Sequence, residues 1–535
     1  MTPVEFLVIG SGPASAAACQ ALMDSGKSVT VVDIGSELEE QRKQVVARMG
    51  NQAPSAWAAT DREFISGGMK PTLKGVDVKT TFGSKYPYYQ SSPNALLGLG
   101  GSLLGASQSL GGFSSVWGAA TLPFVREDMT GWPDAIDLDR YYGLVQRVMP
   151  VAAHSDDFSN HFPLAAPTVA GIPLGPDLRA LRADIEKHRA RFHAARMLFG
   201  LGRVAVGVPG TDQQRNSCRL CGFCMNGCPY GLIFNSRDVV LRGVETGKLQ
   251  YLGGLEVERI DNQPDGGVAV HCSRRATGET VVLRARKVLL GAGVVPTAWI
   301  VAASLDLPRL DLAVKDACYF LVPFLRFRGV RDFREGGFTL VQGFLQFEPG
   351  AVGRRRINLQ IYGYNDLFES LVDHLFGRFF GNWQWPREMV LSRLLLMQGY
   401  LHSDESPTIS LSLTRTEGAR YGVQTVADSQ SSAKALVRRT IFRLIRHASI
   451  LGGFPAAPLV KVEHPGRGFH FGGTFPMRER RANRFETNIW GQLEEMPNVH
   501  IVDASVFPSI PPTTITLPMM ANAYRIALAA AQGTI

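Results

Sequence analysis

The stretch "CRLCGFCMNGCP", residues 218–229, holds four of the chain's seven cysteines. Cys218, Cys221, Cys224 and Cys228 follow C-x2-C-x2-C-x3-C-P, the run with which bacterial ferredoxins wrap an iron–sulfur cube. Structural zinc usually takes two C-x2-C knuckles across a longer loop, so this compact run favours iron–sulfur over zinc. Gly222 and Gly227 relieve crowding on so tight a turn. In two-cluster ferredoxins the fourth cysteine serves the other cluster, and no second run exists here. The expectation is one [4Fe–4S] cluster held by all four cysteines. A [3Fe–4S] cluster on three, or a remote ligand such as Cys272 or Cys318, stays open. An odd count with four clustered does not fit a disulfide framework; it fits a ligand set in a reducing compartment.

The second chemistry-bearing pattern is at the start. "EFLVIG", "GSGPAS", "AAACQALMDSG" and "SVTVVD" read as strand, glycine turn, helix and strand. Gly10 permits the turn, Gly12 lets backbone meet a pyrophosphate at a helix N-terminus, and Ser15 is small enough for helix and strand to pack. Asp33 ends the second strand, where a carboxylate can accept a ribose hydroxyl. This predicts a dinucleotide-binding βαβ unit without separating FAD from NAD.

Further elements must position these groups. Residues 41–95 read as polar and irregular, and 97–120 as glycine-patterned backbone packed against a ligand. Strands are predicted across 249–290, the last buried on both faces. Longer alternating strands across 317–465 predict a large antiparallel sheet, interrupted by helical segments at 366–401 and 431–451. The chain ends on a strand, a Pro-rich loop and a helix. With 535 residues, two or more domains are expected. The net charge of +9 is dispersed, with no long Lys/Arg run, which argues against nucleic-acid binding. The N-terminus offers no secretion signal and no apolar run has transmembrane length. The expectation is a cytoplasmic protein.

Four stretches resemble the glucose–methanol–choline (GMC) oxidoreductases, in that family's order. They are "GGFSSVWGAA" (111–120), "LLGAGVVPTAWIVAAS" (289–304), "FHFGGTFPM" (469–477) and "NVHIVDASVFPSIPPTTIT" (498–516). The resemblance implies an α/β fold: a Rossmann-like FAD-binding domain plus an α+β substrate domain on a large antiparallel sheet. It implies a discontinuous FAD domain (1–150, 205–315, 465–535) carrying the iron–sulfur segment 216–236, and a substrate domain (151–204, 316–464). It also implies FAD contacts at Gly111, Gly112, Ser114, Gly118, Ala292, Asp503 and Thr513. His470 becomes the base that takes the substrate's hydroxyl proton. Thr514 stands where the family usually has a second polar residue, His or Asn, with Thr513 or Asn522 able to contribute instead. Threonine cannot serve as a proton-transfer base at neutral pH.

The function this implies is oxidation of a hydroxyl compound (a sugar, polyol, glycan intermediate or other alcohol) to a carbonyl. Electrons pass from FAD through the cluster to an external acceptor such as a ferredoxin, cytochrome or quinone-linked protein. The alternatives are an alcohol oxidase using O2 with a structural cluster, and a non-catalytic electron-transfer or binding subunit. In 433–453, Leu436, Thr440 and Leu444 are placed inward and Arg439, Arg443 and Arg446 outward. With the aromatic stretch 375–401 this could form a peripheral membrane patch.

Overall fold

The computed structural model describes residues 3–67, 72–73, 76–77, 79–88, 104–165, 168–207, 218–366, 368–369, 372–373, 384–416 and 421–535. The first strand, β1 (Val4–Ile9), is apolar and buried over its last four residues. Helix α1 (Pro13–Asp24) starts with proline at its first turn, where a missing N–H costs nothing. It ends before Gly26, whose φ of +73° suits glycine. Strand β2 (Val29–Val32) then pairs parallel to β1. The 41–95 region is not irregular at its start: α2 (Glu40–Gly50) and α3 (Ala59–Ser66) are helices. They bury only Val45, Met49 and Ile65, and that sparse apolar signal reads as coil in sequence.

Among the described residues, a seven-stranded sheet runs Leu249–Leu252, β2, β1, β3 (Thr280–Leu290), Val268–Arg274 and Leu255–Asn262, with Val499–Ile501 also on β3. Its centre is parallel, and β3 is buried at Val288–Leu290, where loss of alternation predicted burial on both faces. Helix α4 (Val294–Ser304) follows β3 directly. The C-terminal helix α6 (Thr516–Ala531) lies against α1, alanine to alanine: Ala17, Ala18, Ala21, Ala521, Ala523 and Ala527 are all fully buried. Small side chains on both helices permit that close approach.

A second seven-stranded sheet, antiparallel throughout, runs Gly453–Pro455, β5 (Tyr319–Arg326), β7 (Leu394–Leu401), β6 (Ile357–Tyr362), Gly343–Phe347 and Met197–Leu201, with Lys461–Val462 on β5. Residues 394–401 are therefore a central strand, not the end of a helix; the only helix described in that region's second half is Gln384–Leu391. Residues 375–383 of the aromatic stretch lie outside the described residues. Phe320, Val322, Phe324, Leu359, Ile361 and Met397 face helix α5 (Ser431–Arg446) through its buried Leu436, Val437, Ile441 and Leu444. Thr440 is buried with them, and Arg439 and Arg446 are exposed, as the helical pattern predicted. Arg443 departs: it is half-buried and donates to the Ala195 carbonyl.

A four-stranded sheet of Tyr421–Ala427, Ile409–Arg415, β4 (Arg309–Asp316) and Phe471–Gly472 joins the two. Leu411, Leu413 and Tyr421 pack in the same core as β1 and α1, so this sheet crosses the boundary expected at 315/316. No helix among the described residues is long and apolar enough to cross a membrane.

Candidate functional site

The sheets enclose a cavity of about 770 Å³. The glycine turn forms one end. Gly10 has φ +91°, and a Cβ there would lie 2.7 Å from the Gly291 carbonyl oxygen, so only glycine lets β1 and β3 close on each other. A Cβ on Gly12 would meet nothing within 4 Å; that face is open to the cavity. Gly12 also caps α1 without any side-chain cap, which leaves the first-turn N–H groups to a ligand. Ser15 sits behind the wall, its hydroxyl donating to the Ile9 and Gly291 carbonyls. Asp33 lines the cavity and accepts a bond from Ser11, whose hydroxyl in turn accepts from the Gly111 N–H at 2.9 Å. Burial pushes the Asp33 carboxyl up to about 7, although the Ser11 bond opposes it.

Gly112, Ser114, Gly118 and Ala292 line the same cavity; Gly111 and Thr513 lie outside its lining. Gly111, at φ +95°, has Asn235 Oδ1 only 2.1 Å from where a Cβ would stand. Ser236 completes this junction: its Oγ is 2.8 Å from Ser114 Oγ and donates to the Ser11 carbonyl. Sequence reasoning missed Ser11, Asn235 and Ser236, which carry no spacing signal of their own. Asp503 is buried and lines the cavity, but its carboxylate accepts from the Gly293 N–H, the Thr297 hydroxyl and the Ser505 N–H. It holds the start of α4 in place and leaves neighbouring backbone to face the ligand.

The other end carries His470. Burial pulls its imidazole down to about 4, so it is neutral near pH 7. Its ring stacks on Tyr400 at 4.5 Å, and its Nδ1 is buried without a hydrogen-bond partner. The loop that carries it is tied down twice. Asp316 accepts from the Gly466 N–H at 2.9 Å, and the His470 carbonyl accepts from the Ala317 N–H at 2.9 Å. Phe469, just before, adopts φ +55°, a left-handed conformation that costs energy for a side chain of this size. Thr514 lines the cavity, but its hydroxyl accepts from the Leu122 N–H at 2.7 Å and reaches the Leu122 carbonyl at 3.5 Å. That hydroxyl is engaged in backbone positioning. The Thr513 hydroxyl and the Asn522 amide nitrogen are buried without partners.

The cysteine loop packs on its own small core, where Val45, Met49, Trp57, Ile65 and Phe223 gather α2 and α3 around it. Gly222 (φ +74°) and Gly227 (φ +110°) supply the tight turns. Burial, and after it the neighbouring thiols, push the Cys218 and Cys221 thiols up to about 11 and about 12; Cys221 feels Cys224, Cys228 and Cys218. The four sulfurs thus share one neighbourhood. Among the described residues, no three His, Cys, Asp or Glu side chains converge as ligands of a single metal ion. In an iron–sulfur cube each thiolate binds a different iron, a wider arrangement than single-ion ligation requires. Met225 and Asn226, between the third and fourth cysteines, line the same cavity. So does Lys79, whose ammonium donates to the Trp117 carbonyl at 2.7 Å and lies within electrostatic reach of Cys224.

The cavity fits an FAD-like ligand on the observations above: a side-chain-free approach at Gly12, uncapped helix N–H groups, the Asp33 carboxyl on the same wall, and space running on to a neutral histidine. A search of curated protein sequences finds no match. Among solved structures, the fold resembles pyridoxine 4-oxidase from Mesorbium loti, with a TM-score of 0.57 and 13% sequence identity over 98% of both chains. The sequence matches the N-terminal pattern of the GMC oxidoreductases over residues 7–304 and their C-terminal pattern over 416–523. The chain therefore belongs to the GMC oxidoreductase family and is an FAD-dependent oxidoreductase acting on CH–OH donors.

Proposed function

We propose that this chain is a dehydrogenase that oxidises a hydroxyl compound, a sugar, polyol or glycan intermediate, to a carbonyl and sends the electrons to an external acceptor. His470 takes the hydroxyl proton. Held neutral by burial, its imidazole is in the accepting form without any activating carboxylate. With Nδ1 sealed off, Nε2 is the nitrogen left for the substrate. The stacked Tyr400 and the anchored 466–470 loop hold that ring in place. The Gly10–Gly12 turn, Asp33 and the Gly112–Ser114 backbone bind the cofactor's nucleotide half. FAD, when bound, supplies the hydride acceptor. Cys218, Cys221, Cys224 and Cys228 would hold one iron–sulfur cluster, [4Fe–4S] in preference to [3Fe–4S], which would supply one-electron transfer toward an external ferredoxin, cytochrome or quinone-linked carrier. A reducing, cytoplasmic setting suits those thiolates.

The observation that carries this reading is the shared wall: Met225 and Asn226 of the cysteine loop line the cavity that also holds the glycine turn and His470. The test is anaerobic purification followed by an absorbance spectrum and iron and acid-labile sulfide counts. Flavin bands with a broad shoulder near ~400 nm support the reading; yellow protein free of iron sinks the relay. His470→Ala should keep FAD and lose flavin bleaching by a panel of sugars and polyols that bleach the parent. A second reading, an oxidase using O2 with a structural cluster, is favoured by the likeness of the fold to pyridoxine 4-oxidase. It predicts peroxide formed with turnover in air.

A further inference from the structure

The face of α5 turned away from the sheet combines exposed apolar side chains with uncompensated positive charge. At its centre is Phe442, 66% exposed. The neighbours of that ring three and four residues along the helix are Arg438, Arg439, Ile445 and Arg446. Ile445 is 44% exposed, and the three arginines are exposed too. Between Asp428 and Glu463 the chain has no Asp or Glu. Nor has the short helix Arg189–Ala194, which Arg443 joins to this face by donating to the Ala195 carbonyl at 3.3 Å. Burial, and after it the charges of Arg443, Arg446 and Arg191, hold the His447 imidazole below its ordinary value. Cations from both helices therefore act at one place.

The carboxylates around this surface are engaged elsewhere. Asp157 and Glu186 pair with Arg189, Glu348 with Arg196 at 3.5 Å, and Asp184 with the buried Arg326 at 2.7 Å. Glu405, beneath Leu436, accepts from the Arg354 and Arg355 N–H groups, and Glu463 pairs with Lys461 at 2.8 Å. Among the described residues no ion pair involves Arg191, Arg438, Arg439 or Arg446. A partner for this face must supply negative charge to the arginines and an apolar setting for the ring between them. An anionic bilayer supplies both, with headgroup phosphates above the acyl boundary. Arginine suits that depth, because its aliphatic stem lies beside apolar groups while its head stays among the phosphates.

We infer that the α5 face centred on Phe442 docks on an anionic lipid bilayer, with Phe442 and Ile445 at the acyl boundary and Arg438, Arg439 and Arg446 among the headgroups. No α5 residue lines the cavity, so this surface is separate from the reaction site.

The test is sedimentation of full-length protein with vesicles of phosphatidylcholine alone, or of phosphatidylcholine and phosphatidylglycerol in equal amounts. Binding should saturate on the mixed vesicles and be absent on phosphatidylcholine. It should weaken at least tenfold in ~1 M salt, where the Debye length is ~3 Å. Arg438→Gln/Arg439→Gln/Arg446→Gln should weaken it at least ~tenfold. Phe442→Ser, which keeps every charge, should weaken it about tenfold. Phe454 serves as the control. It is 42% exposed but stands opposite Leu325, on the sheet face away from α5, so Phe454→Ser should bind like the parent. Unchanged melting temperatures check that the variants fold. Failure to bind the mixed vesicles, or equal binding to both kinds, refutes the inference. Parental affinity in the arginine variant or in Phe442→Ser refutes it as well. So does an equal loss in Phe454→Ser, because any exposed ring would then serve. Saturable binding to poly-glutamate through the same arginines, without binding to vesicles, refutes it in favour of an acidic protein partner.

Discussion

Two neighbouring glycines should fail in opposite ways. At Gly10, alanine meets φ +91° and a Cβ 2.7 Å from the Gly291 carbonyl oxygen. A left-handed alanine costs ~1–2 kcal/mol, and relieving a backbone clash at the β1–β3 seam adds an overpacking cost of ~1–3 kcal/mol. Gly10→Ala should therefore destabilise the flavin-free protein by about 2–5 kcal/mol. At Gly12 the backbone is φ −63°, ψ 176°, which alanine adopts freely, and its Cβ would meet no protein atom within 4 Å. Gly12→Ala should leave flavin-free stability unchanged or raise it by ~0.4–1 kcal/mol through the unfolded chain. The same methyl occupies the approach to the pyrophosphate, and FAD affinity should fall at least ~10-fold, about 1.4 kcal/mol. Urea unfolding followed by circular dichroism measures the first quantity, and quenching of FAD fluorescence on titration measures the second. The reasoning fails if Gly10→Ala unfolds at the parental urea midpoint, or if Gly12→Ala binds FAD as tightly as the parent.

Thr514→Val should cost ~1–3 kcal/mol in urea unfolding because the buried Leu122 N–H loses its acceptor, whereas Thr514→Ser should keep most of it. The buried Arg356–Asp128 pair, Nε to Oδ2 at 2.8 Å, predicts that Arg356→Met alone costs ~3–5 kcal/mol. The double variant Arg356→Met/Asp128→Leu should recover more than half of that in the same assay. His500 is buried, and its imidazole is pulled down from 6.5 to about 4 by burial. The unfolded chain therefore binds the proton first as pH falls, and the folded state loses stability from about 6.5 down to about 4. Asp33 and Asp316, pushed up to about 7, work in the opposite direction over the same range, so a difference measurement is needed. Relative to His500→Asn, the parent should lose ~3 kcal/mol between those pH values in urea titrations.

What the sequence determined by itself is the chemistry whose requirements are local. Gly10 and Gly12 announce a phosphate turn because the sign of φ and the missing side chain are properties of those residues and their immediate neighbours. The spacing of Cys218 to Cys228 is local in the same way, whereas the expectation of a base at His470 came from the resemblance of its short motif to the family's. Burial of the end of β3 on both faces was legible in the short apolar run Val288–Leu290. Tertiary structure alone decided the rest. Residues 394–401 were apolar enough to suit a helix, and became a strand because β5 and β6 offer ladders on both sides. Helices α2 and α3 gain their burial from the cysteine loop, more than 150 residues away in sequence. Thr514 was placed in a catalytic pair by resemblance, yet its hydroxyl is taken by the backbone of Leu122, which no local pattern reveals. Ser11, Asn235 and Ser236 matter only where three loops meet. Tyr319, Gln360, Tyr362, Gln398 and Tyr400 line the cavity together because strand pairing aligns alternate residues from separate segments on one face. Backbone preference and ligand spacing are short-range, whereas burial and hydrogen-bond partnership depend on which distant segment arrives.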